Sequence, residues 1–386
     1  MDKTFSGANL NNIKELNISA VLKTIFENKG VSRTDIATST EMSCAFVTKV
    51  LTKLTSSEIV LESKNTAFDR GRPKVSLEFN YQKYAMLGLR VNIRYVSAAL
   101  CLSNGDILCH YSSEIEKGDD GEKVMRKCLD VLTLALSNAD SLTVLGIGIA
   151  APGPLPVGLD KITALPENFA GGFSDIPIVK LIEKEFGLSV VLLHDALSGA
   201  MNEYIFEVDK KYRNLVYITT DSGVGAGIIT DGKPYNGRGG MAGEVSHMVI
   251  GTEAGGFTSI SSYLAYSNLK EECDCESIEE LFTKVKKQDK VCCDYVEKYI
   301  KYMSVVIINC VTVLSPEAVV IGDKIAMIPD TVKMICNETL SQMLPEVYRD
   351  SFELIVRPYS KHSVLRGACG AVLHKALNEP CKYFLI

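Results

Sequence analysis

Over the first eighty residues the apolar positions first recur at helical spacing and then switch to alternation. Ile18, Val21, Leu22, Ile25 and Phe26 make one stripe at intervals of three and four, which predicts an amphipathic helix over 18–26. Asn28-Lys29-Gly30 stops it. Ser32-Arg33-Thr34-Asp35 opens a second, short helix, with Ser32 able to accept from the first unpaired amides and Asp35 at the capping-box position. A third helix begins near Ser43 and turns Phe46, Val47, Val50, Leu51 and Leu54 to one side. Cys44, Ala45, Thr48, Lys49, Thr52 and Lys53 fall on the other. Residues 59–62 and 75–79 alternate as strands do, on either side of a polar tip.

From Tyr84 onward strands alternate with helices. Residues 86–93, 95–102 and 106–111 read as a three-stranded meander, followed by a helix over 121–137 and a buried strand over 144–149. The second half repeats the scheme, with strands over 215–219 and 225–230, helices around 260–315, a strand over 318–321 and a terminal helix over 364–377. This is α/β organisation in two lobes.

A length of 386 residues exceeds what one core organises, so several domains are expected. The pattern divides them as 1–80, then 81–200 together with the C-terminal helix 364–386, then 201–363. Charge sharpens the division. The net charge is −6, yet residues 1–80 carry 11 Lys/Arg against 9 Asp/Glu, leaving −8 on the rest. A mildly basic head on an acidic body permits nucleic-acid contact at the head.

Three short helices with a tight turn between the second and third make a helix-turn-helix, whose last helix fits a major groove. The paired strands would form a wing, and between them lies Arg70-Gly71-Arg72-Pro73, two guanidinium groups on a backbone suited to a narrow A·T minor groove. The candidate DNA-binding residues are therefore Arg33, Ser43, Cys44, Ala45, Thr48, Lys49, Lys53, Arg70 and Arg72. A helical protein-interaction module with a solvated basic loop is the blander alternative.

The twelve cysteines lie mostly singly in apolar runs, as small buried hydrophobes do, and Cys273-x-Cys275 and Cys292-Cys293 lack partners at structural-zinc spacing. Free thiols are expected. No apolar run reaches the length of a membrane span and the N-terminus carries no secretory pattern, so a cytoplasmic protein without membrane contact is expected.

The stretch Ile13-Lys-Glu-Leu-Asn17, Gly30-Val-Ser-Arg-Thr-Asp-Ile-Ala37, and Gly71-Arg-Pro73 before Leu77-x-Phe79-Asn80 resembles the head of repressors in the ROK (repressor, open reading frame, kinase) family, of the xylose and N-acetylglucosamine repressor type. The resemblance extends over nearly the whole chain. It implies an α+β winged helix-turn-helix followed by an α/β actin-like (sugar kinase/ribonuclease H-like) two-lobed ROK domain. The partners implied are double-stranded operator DNA, a small sugar or sugar derivative as effector, and a second copy of the chain in a homodimer or homotetramer.

Phosphoryl transfer needs parts that are altered here. Where family kinases read Gly-x-Asp-x-Gly-Gly-Thr, this chain has Gly88, Leu89, Arg90, Val91, Asn92, Ile93 and Arg94. An acid becomes Arg90, and two phosphate-admitting glycines become Asn92 and Ile93. The second glycine-rich stretch runs Asp221-Ser222-Gly223-Val224-Gly225-Ala226-Gly227, with Asp221 in place of a glycine, and Ile321-Gly322-Asp323 again carries an acid where the family has glycine. No catalysis and no cofactor are expected.

The sugar side matches better. His194-Asp195-Ala196 resembles the family's Asn-Asp-Ala, in which the Asp is the kinase base. Gly243-Glu244-Val245-Ser246-His247 resembles Gly-Glu-x-Gly-His, and Asn168 stands where a sugar-contacting Asn lies. Tyr263 aligns with a sugar-touching Glu. The resemblance thus assigns Asn168, His194, Asp195, Glu244, His247 and Tyr263 to sugar binding. The family's zinc thiolates are absent from Ala254–Ser261, so no metal is expected. An active sugar kinase with an appended interaction module, and a repressor that no longer senses a sugar, remain the competing readings.

Overall fold

The computed structural model describes residues 10–386 apart from 65–74, 157, 159, 163–168, 208–211, 221–222, 253–254, 265–268 and 323. Three helices open the chain: α1 (Leu10–Glu27), α2 (Arg33–Thr40) and α3 (Cys44–Ser56). Each start has a visible cause. Ser32 Oγ accepts from the Asp35 amide while the Asp35 carboxylate accepts from the Ser32 amide, a complete capping box, and Ser43 caps α3 through the Phe46 amide at 3.3 Å. β1 (Val60–Lys64) and β2 (Val75–Phe79) follow as an antiparallel pair, and Leu77 also bonds to Val31, which pins the hairpin beside the entry to α2. The stripe predicted from spacing is the core: Val21, Leu22, Ile25, Ile36, Val47, Leu51 and Leu54 are all buried.

Two five-stranded sheets build the body with the same topology. In the first, β3 (Tyr84–Val91), β4 (Tyr95–Leu102) and β5 (Ile107–Glu114) form an antiparallel meander, and β6 (Thr143–Ala151) and β7 (Val190–His194) extend it in parallel, in the order β5-β4-β3-β6-β7. Helices α4 (Gly121–Leu136) and α5 (Ile178–Phe186) belong to this half, and α6 (Asp195–Asn202) leads out of it. Glu203–Glu207 prolongs α6 as a single π-helical stretch. In the second sheet β8 (Leu215–Thr219), β9 (Gly225–Thr230) and the two-residue β10 (Lys233–Pro234) form the meander. A small hairpin of β11 (Val249–Gly251) and β12 (Phe257–Ser259) stands apart from it. Helices α7 (Ser261–Leu264), α8 (Leu269–Cys273), α9 (Ile278–Lys286) and α10 (Lys290–Leu314) then precede β13 (Ala318–Ile321). After α11 (Pro329–Met343) and α12 (Glu346–Arg349), β14 (Glu353–Val356) completes the order β10-β9-β8-β13-β14, with β8, β13 and β14 parallel.

The chain closes with α13 (Ser363–Asn378) and α14 (Pro380–Tyr383). α13 sits against the first sheet at backbone distance. A Cβ added at Gly148 of β6 would lie 2.0 Å from the Ala368 carbonyl oxygen, and one added at Gly367 would lie 1.7 Å from that of Ser198 on α6. Ser198 Oγ donates to the Val364 carbonyl at 2.7 Å. The far end of α13 meets the head: Ser19 Oγ donates to the Leu377 carbonyl at 2.7 Å, and Lys23 Nζ to Asn378 Oδ1 at 2.5 Å. Around that junction Phe26, Phe79, Tyr81, Tyr84 and Phe384 pack ring on ring, with Tyr84 and Phe384 edge-to-face at 5.0 Å. Head residues such as Leu22 and Leu54 therefore share one apolar cluster with Cys369 and Ala376 of α13.

No helix among the described residues is long and apolar enough to cross a membrane, and all twelve cysteines are free thiols. The predicted elements recur at nearly the expected bounds. α5, α11, α12, β14, the β11–β12 hairpin, the π-helical stretch and the eight residues of α1 before Ile18 are among the parts without a counterpart in the pattern.

Gly148→Ala is expected to destabilise the fold by about 3 kcal/mol or more, because the clash is with backbone rather than a movable side chain. Gly171→Ala, where an added Cβ meets nothing within 4 Å, should stay within about 0.5 kcal/mol. Urea unfolding followed by circular dichroism, suited to a chain without Trp, reads both.

Candidate functional site

The first candidate surface is α3. Because Val47, Val50, Leu51 and Leu54 are spent on the core, Ser43, Cys44, Ala45, Thr48, Lys49 and Thr52 are left exposed, with Lys53 half-buried at the edge. The Thr48 and Thr52 hydroxyls donate back to carbonyls one turn earlier, at 2.8 and 2.9 Å, which holds their methyl groups in fixed orientation. Arg33, one of the DNA-binding candidates, has its Nη2 2.6 Å from Glu62 of β1, an exposed ion pair that ties α2 to the hairpin. Arg70 and Arg72 lie outside the described residues.

The second is the cleft between the sheets. β3, β6 and β7 run parallel, and in open parallel sheets ligands gather beyond the carboxyl ends of the strands. Arg90, near the end of β3, pairs in register with Ala150, and His194, the last residue of β7, pairs with Ala151. This brings Arg90 to Asp195, the first residue of α6. Arg90 Nη2 donates to Asp195 Oδ2 at 3.1 Å, and Nη1 donates to the Tyr95 hydroxyl at 3.1 Å. Arg90 is only 8% exposed, so this guanidinium is a built part of the interior. The Arg90 guanidinium thus holds the Asp195 carboxylate at the start of α6.

The adjoining turn is closed on itself. The Asn92 amide donates to the Tyr95 carbonyl at 2.9 Å, and Asn92 Oδ1 accepts from the Arg94 amide at 3.1 Å. The Asn92 side chain therefore occupies a backbone N–H of this turn that could otherwise face an anion. The second glycine-rich stretch also has a structural use. A Cβ at Gly227 would lie 2.1 Å from the Ala196 carbonyl oxygen, so that glycine lets α6 lie on β9. Gly322 gives way to the Tyr217 hydroxyl, which an added Cβ would approach to 2.1 Å. Asp221, Ser222 and Asp323 lie outside the described residues.

Gly153, on the segment leaving β6, links the sugar-side residues. A Cβ there would stand 2.9 Å from His194 Cβ and 3.4 Å from Glu244 Oε1, so His194 from one half and Glu244 from the other meet at this point. Burial pushes the His194 imidazole down to about 4, leaving it neutral and able to offer one donor and one acceptor. Burial raises the Glu244 carboxyl above its ordinary range, with His247 pulling the opposite way. His247 is exposed on the short turn Val245–His247. Tyr263 is taken up by packing: its ring stacks on Tyr302 of α10 at 4.0 Å, with Lys298 Nζ 5.6 Å above it. Asn168 lies outside the described residues. No cluster of three or more metal-ligating side chains occurs among the described residues. The residues that spacing could not single out are Tyr95 and Gly153, which the fold brings to the site from a neighbouring strand and from a loop.

The ROK family profile matches residues 86–375, and the chain belongs to that family. Comparison with known proteins divides by length. The xylose repressor of Caldicellulosiruptor bescii is 24% identical, with 95% of this chain and 98% of the relative aligned. The crystal structure of a ROK family transcriptional regulator, a homologue of the Escherichia coli Mlc protein, superposes with a TM-score of 0.79 at 24% identity, covering 95% of this chain and 97% of its own. A ROK family glucokinase from Streptomyces griseus, in complex with glucose and AMPPNP, superposes with a TM-score of 0.62 at 17% identity and covers only 74% of this chain, though 98% of its own. The body therefore has the actin-like sugar-kinase fold, and the residues of the head lie outside the span of the family profile.

Two buried imidazoles make acid stability a readout of this interior. His374 of α13 donates from Nε2 to the Gly232 carbonyl at 2.9 Å and, like His194, is pushed down by burial to about 4. Between pH 6.5 and 4 these two side chains bind protons in the unfolded chain that they refuse in the folded one, so their contribution to stability is complete above about pH 6.5 and is lost as pH drops toward 4. Each histidine contributes a slope of at most about 1.4 kcal/mol per pH unit. His374→Asn is expected to lose less stability than wild type between pH 7 and pH 5, read from urea midpoints.

Proposed function

We propose that this chain is a sequence-specific DNA-binding transcriptional repressor of carbohydrate-utilisation genes, whose kinase-like body binds a sugar without transferring phosphate. The head is a winged helix-turn-helix: α3 enters the major groove with Thr48 and Lys49 foremost, and the Arg70-Gly71-Arg72 tip reaches the minor groove. A homodimer would set two such helices in successive major grooves, roughly 34 Å apart. The observation that carries the reading is the Arg90–Asp195 ion pair, which leaves the body's carboxylate engaged by a cation in place of an attacking hydroxyl. The full-length match to proteins named as repressors supports it.

Effector control has a physical route. Ser363 and Val364 of α13 line the cleft, and Leu377 and Asn378 at its other end bond to α1 of the head. A sugar that binds one arrangement of the lobes better than another shifts α13 and with it the spacing of the two heads.

The kinase reading is favoured by one feature, the retained Asp195, and it has a direct test. A coupled ATP-consumption assay over a sugar panel is expected to show no turnover, whereas turnover lost in Asp195→Ala would establish a kinase. For the repressor, Lys49→Glu is expected to weaken binding to a labelled duplex from the chain's own upstream region at least tenfold and to lessen its salt dependence, with unchanged folding, because the side chain is exposed. Fluorescence polarisation at several salt concentrations checks this; binding unaffected by Lys49→Glu contradicts the docking of α3.

A further inference from the structure

The chain passes between its two sheets twice. The first passage is α6 with the π-helical stretch that ends at Glu207, and the second is residues 357–362, which lead from β14 into α13. A π-helical stretch of this kind is frequent at functional sites. Where the two passages meet lies a cavity of about 370 Å³, within the range of roughly 300–1,000 Å³ that small-molecule sites occupy. It shares Tyr359, Ser360 and Ser363 with the larger cavity beyond the end of β3, but Arg90, Asn92 and Arg94 do not line it. None of the described DNA-binding or sugar-binding candidates lines it either.

Among the described residues the charged side chains of the wall balance: Glu203 and Glu207 come from the first passage, Arg357 and Arg366 from the second and from α13. Arg357 Nε donates to Glu203 Oε2 at 3.0 Å, and Arg366 Nη1 to Glu207 Oε1 at 2.5 Å. These pairs leave groups unserved. Glu203 is 1% exposed, and burial pushes its carboxyl up to about 7 although Arg357 and Asn202 both pull it down. One guanidinium N–H and one amide therefore do not replace what the ionised carboxylate loses on leaving water. Asn202, beside it, is 3% exposed, and its buried Oδ1 has no hydrogen-bond partner. The buried Nε of Arg366 has none. Native interiors pair such groups as a rule, so an orphaned acceptor next to an under-neutralised carboxylate asks for a donor, and an orphaned N–H on a guanidinium asks for an acceptor.

We propose that this cavity binds a zwitterion, an α-amino acid, with its ammonium at Asn202 and Glu203 and its carboxylate at the guanidinium groups of Arg357 and Arg366. An ammonium carries N–H donors for both acceptors, and guanidinium forks match carboxylate geometry. A ligand with only one of these ends would bring an unbalanced charge into a wall whose own charges cancel, whereas a zwitterion leaves the sum at zero. The bound amino acid bridges the two passages and so favours one arrangement of the lobes over another.

The test is thermal unfolding of the full chain by circular dichroism with the standard amino acids, one at a time, at millimolar concentrations. A ligand that binds only the folded state raises the midpoint. At least one amino acid is expected to raise it, and that one is then compared with its own α-amide, which keeps only the cation, and its N-acetyl derivative, which keeps only the anion. Both derivatives are expected to raise the midpoint far less. Asn202→Ala removes the orphaned acceptor, and Arg357→Lys keeps a cation beside Glu203 but gives up the fork; in each, affinity is expected to fall about tenfold. Should Asn202→Ala fail to fold, Arg357→Lys still decides, because it preserves the ion pair. The proposal is overturned if no amino acid shifts the midpoint, if either derivative matches its parent, or if either folded variant binds as wild type does. No DNA and no sugar enter these melts. Failure here therefore leaves the repressor reading standing, and failure of operator binding leaves this site standing.

Discussion

The contact on which the rest of the molecule depends is the backbone-to-backbone approach of α13 to β6 and α6. Gly148 faces the Ala368 carbonyl and Gly367 the Ser198 carbonyl at distances that admit no side chain. Gly88 of β3 makes the same concession, since an added Cβ would lie 2.7 Å from the Leu365 carbonyl oxygen. α13 thereby joins the first sheet, the helix that begins at Asp195 and the cleft wall at Ser363 through direct backbone contact. The same helix then reaches the head through Leu377 and Asn378. A densely packed contact of this kind transmits displacement rather than absorbing it.

Close backbone packing also explains which glycines are present. Gly88 admits α13 and Gly227 admits α6, whereas Asn92 and Ile93 stand where the resemblance to family kinases implies glycines for phosphate. A glycine-rich stretch therefore has two meanings that only a structure separates: room for a ligand, or room for a neighbouring backbone. At Gly227 the second meaning holds. The Arg90–Asp195 pair completes the picture, for a body that keeps its architecture while its carboxylate is held by a cation.

Much of this was legible in the residues themselves. Capping signals at Ser32 and Ser43 and the apolar stripe of α3 placed α2 and α3 to within a residue or two, because those signals are local. β4, β8, β9 and β13 matched their predicted bounds for the same reason: their apolar runs are short and bounded by turn residues. What was not legible is what joins distant residues. Arg90 and Asp195 are 105 positions apart, Ser19 and Leu377 are 358 apart, and neither pairing leaves a mark in spacing. The Arg33–Glu62 ion pair and the stacking of Tyr263 on Tyr302 likewise join residues that spacing does not relate. β14 has only four residues, three of them apolar, too short a run to distinguish from a loop.

The central claim is that cleft and head form one mechanically coupled unit through α13. Coupling between sites is reciprocal, so DNA bound at the head must be felt at the cleft. Hydrogen exchange of the full chain, measured with and without a duplex from its own upstream region, tests this most directly. The account predicts altered exchange at both ends of α13, in the amides following Ser363 and in those around Leu377, together with α3. A change confined to residues before Tyr84, with the cleft end of α13 exchanging as it does in the free protein, would contradict it.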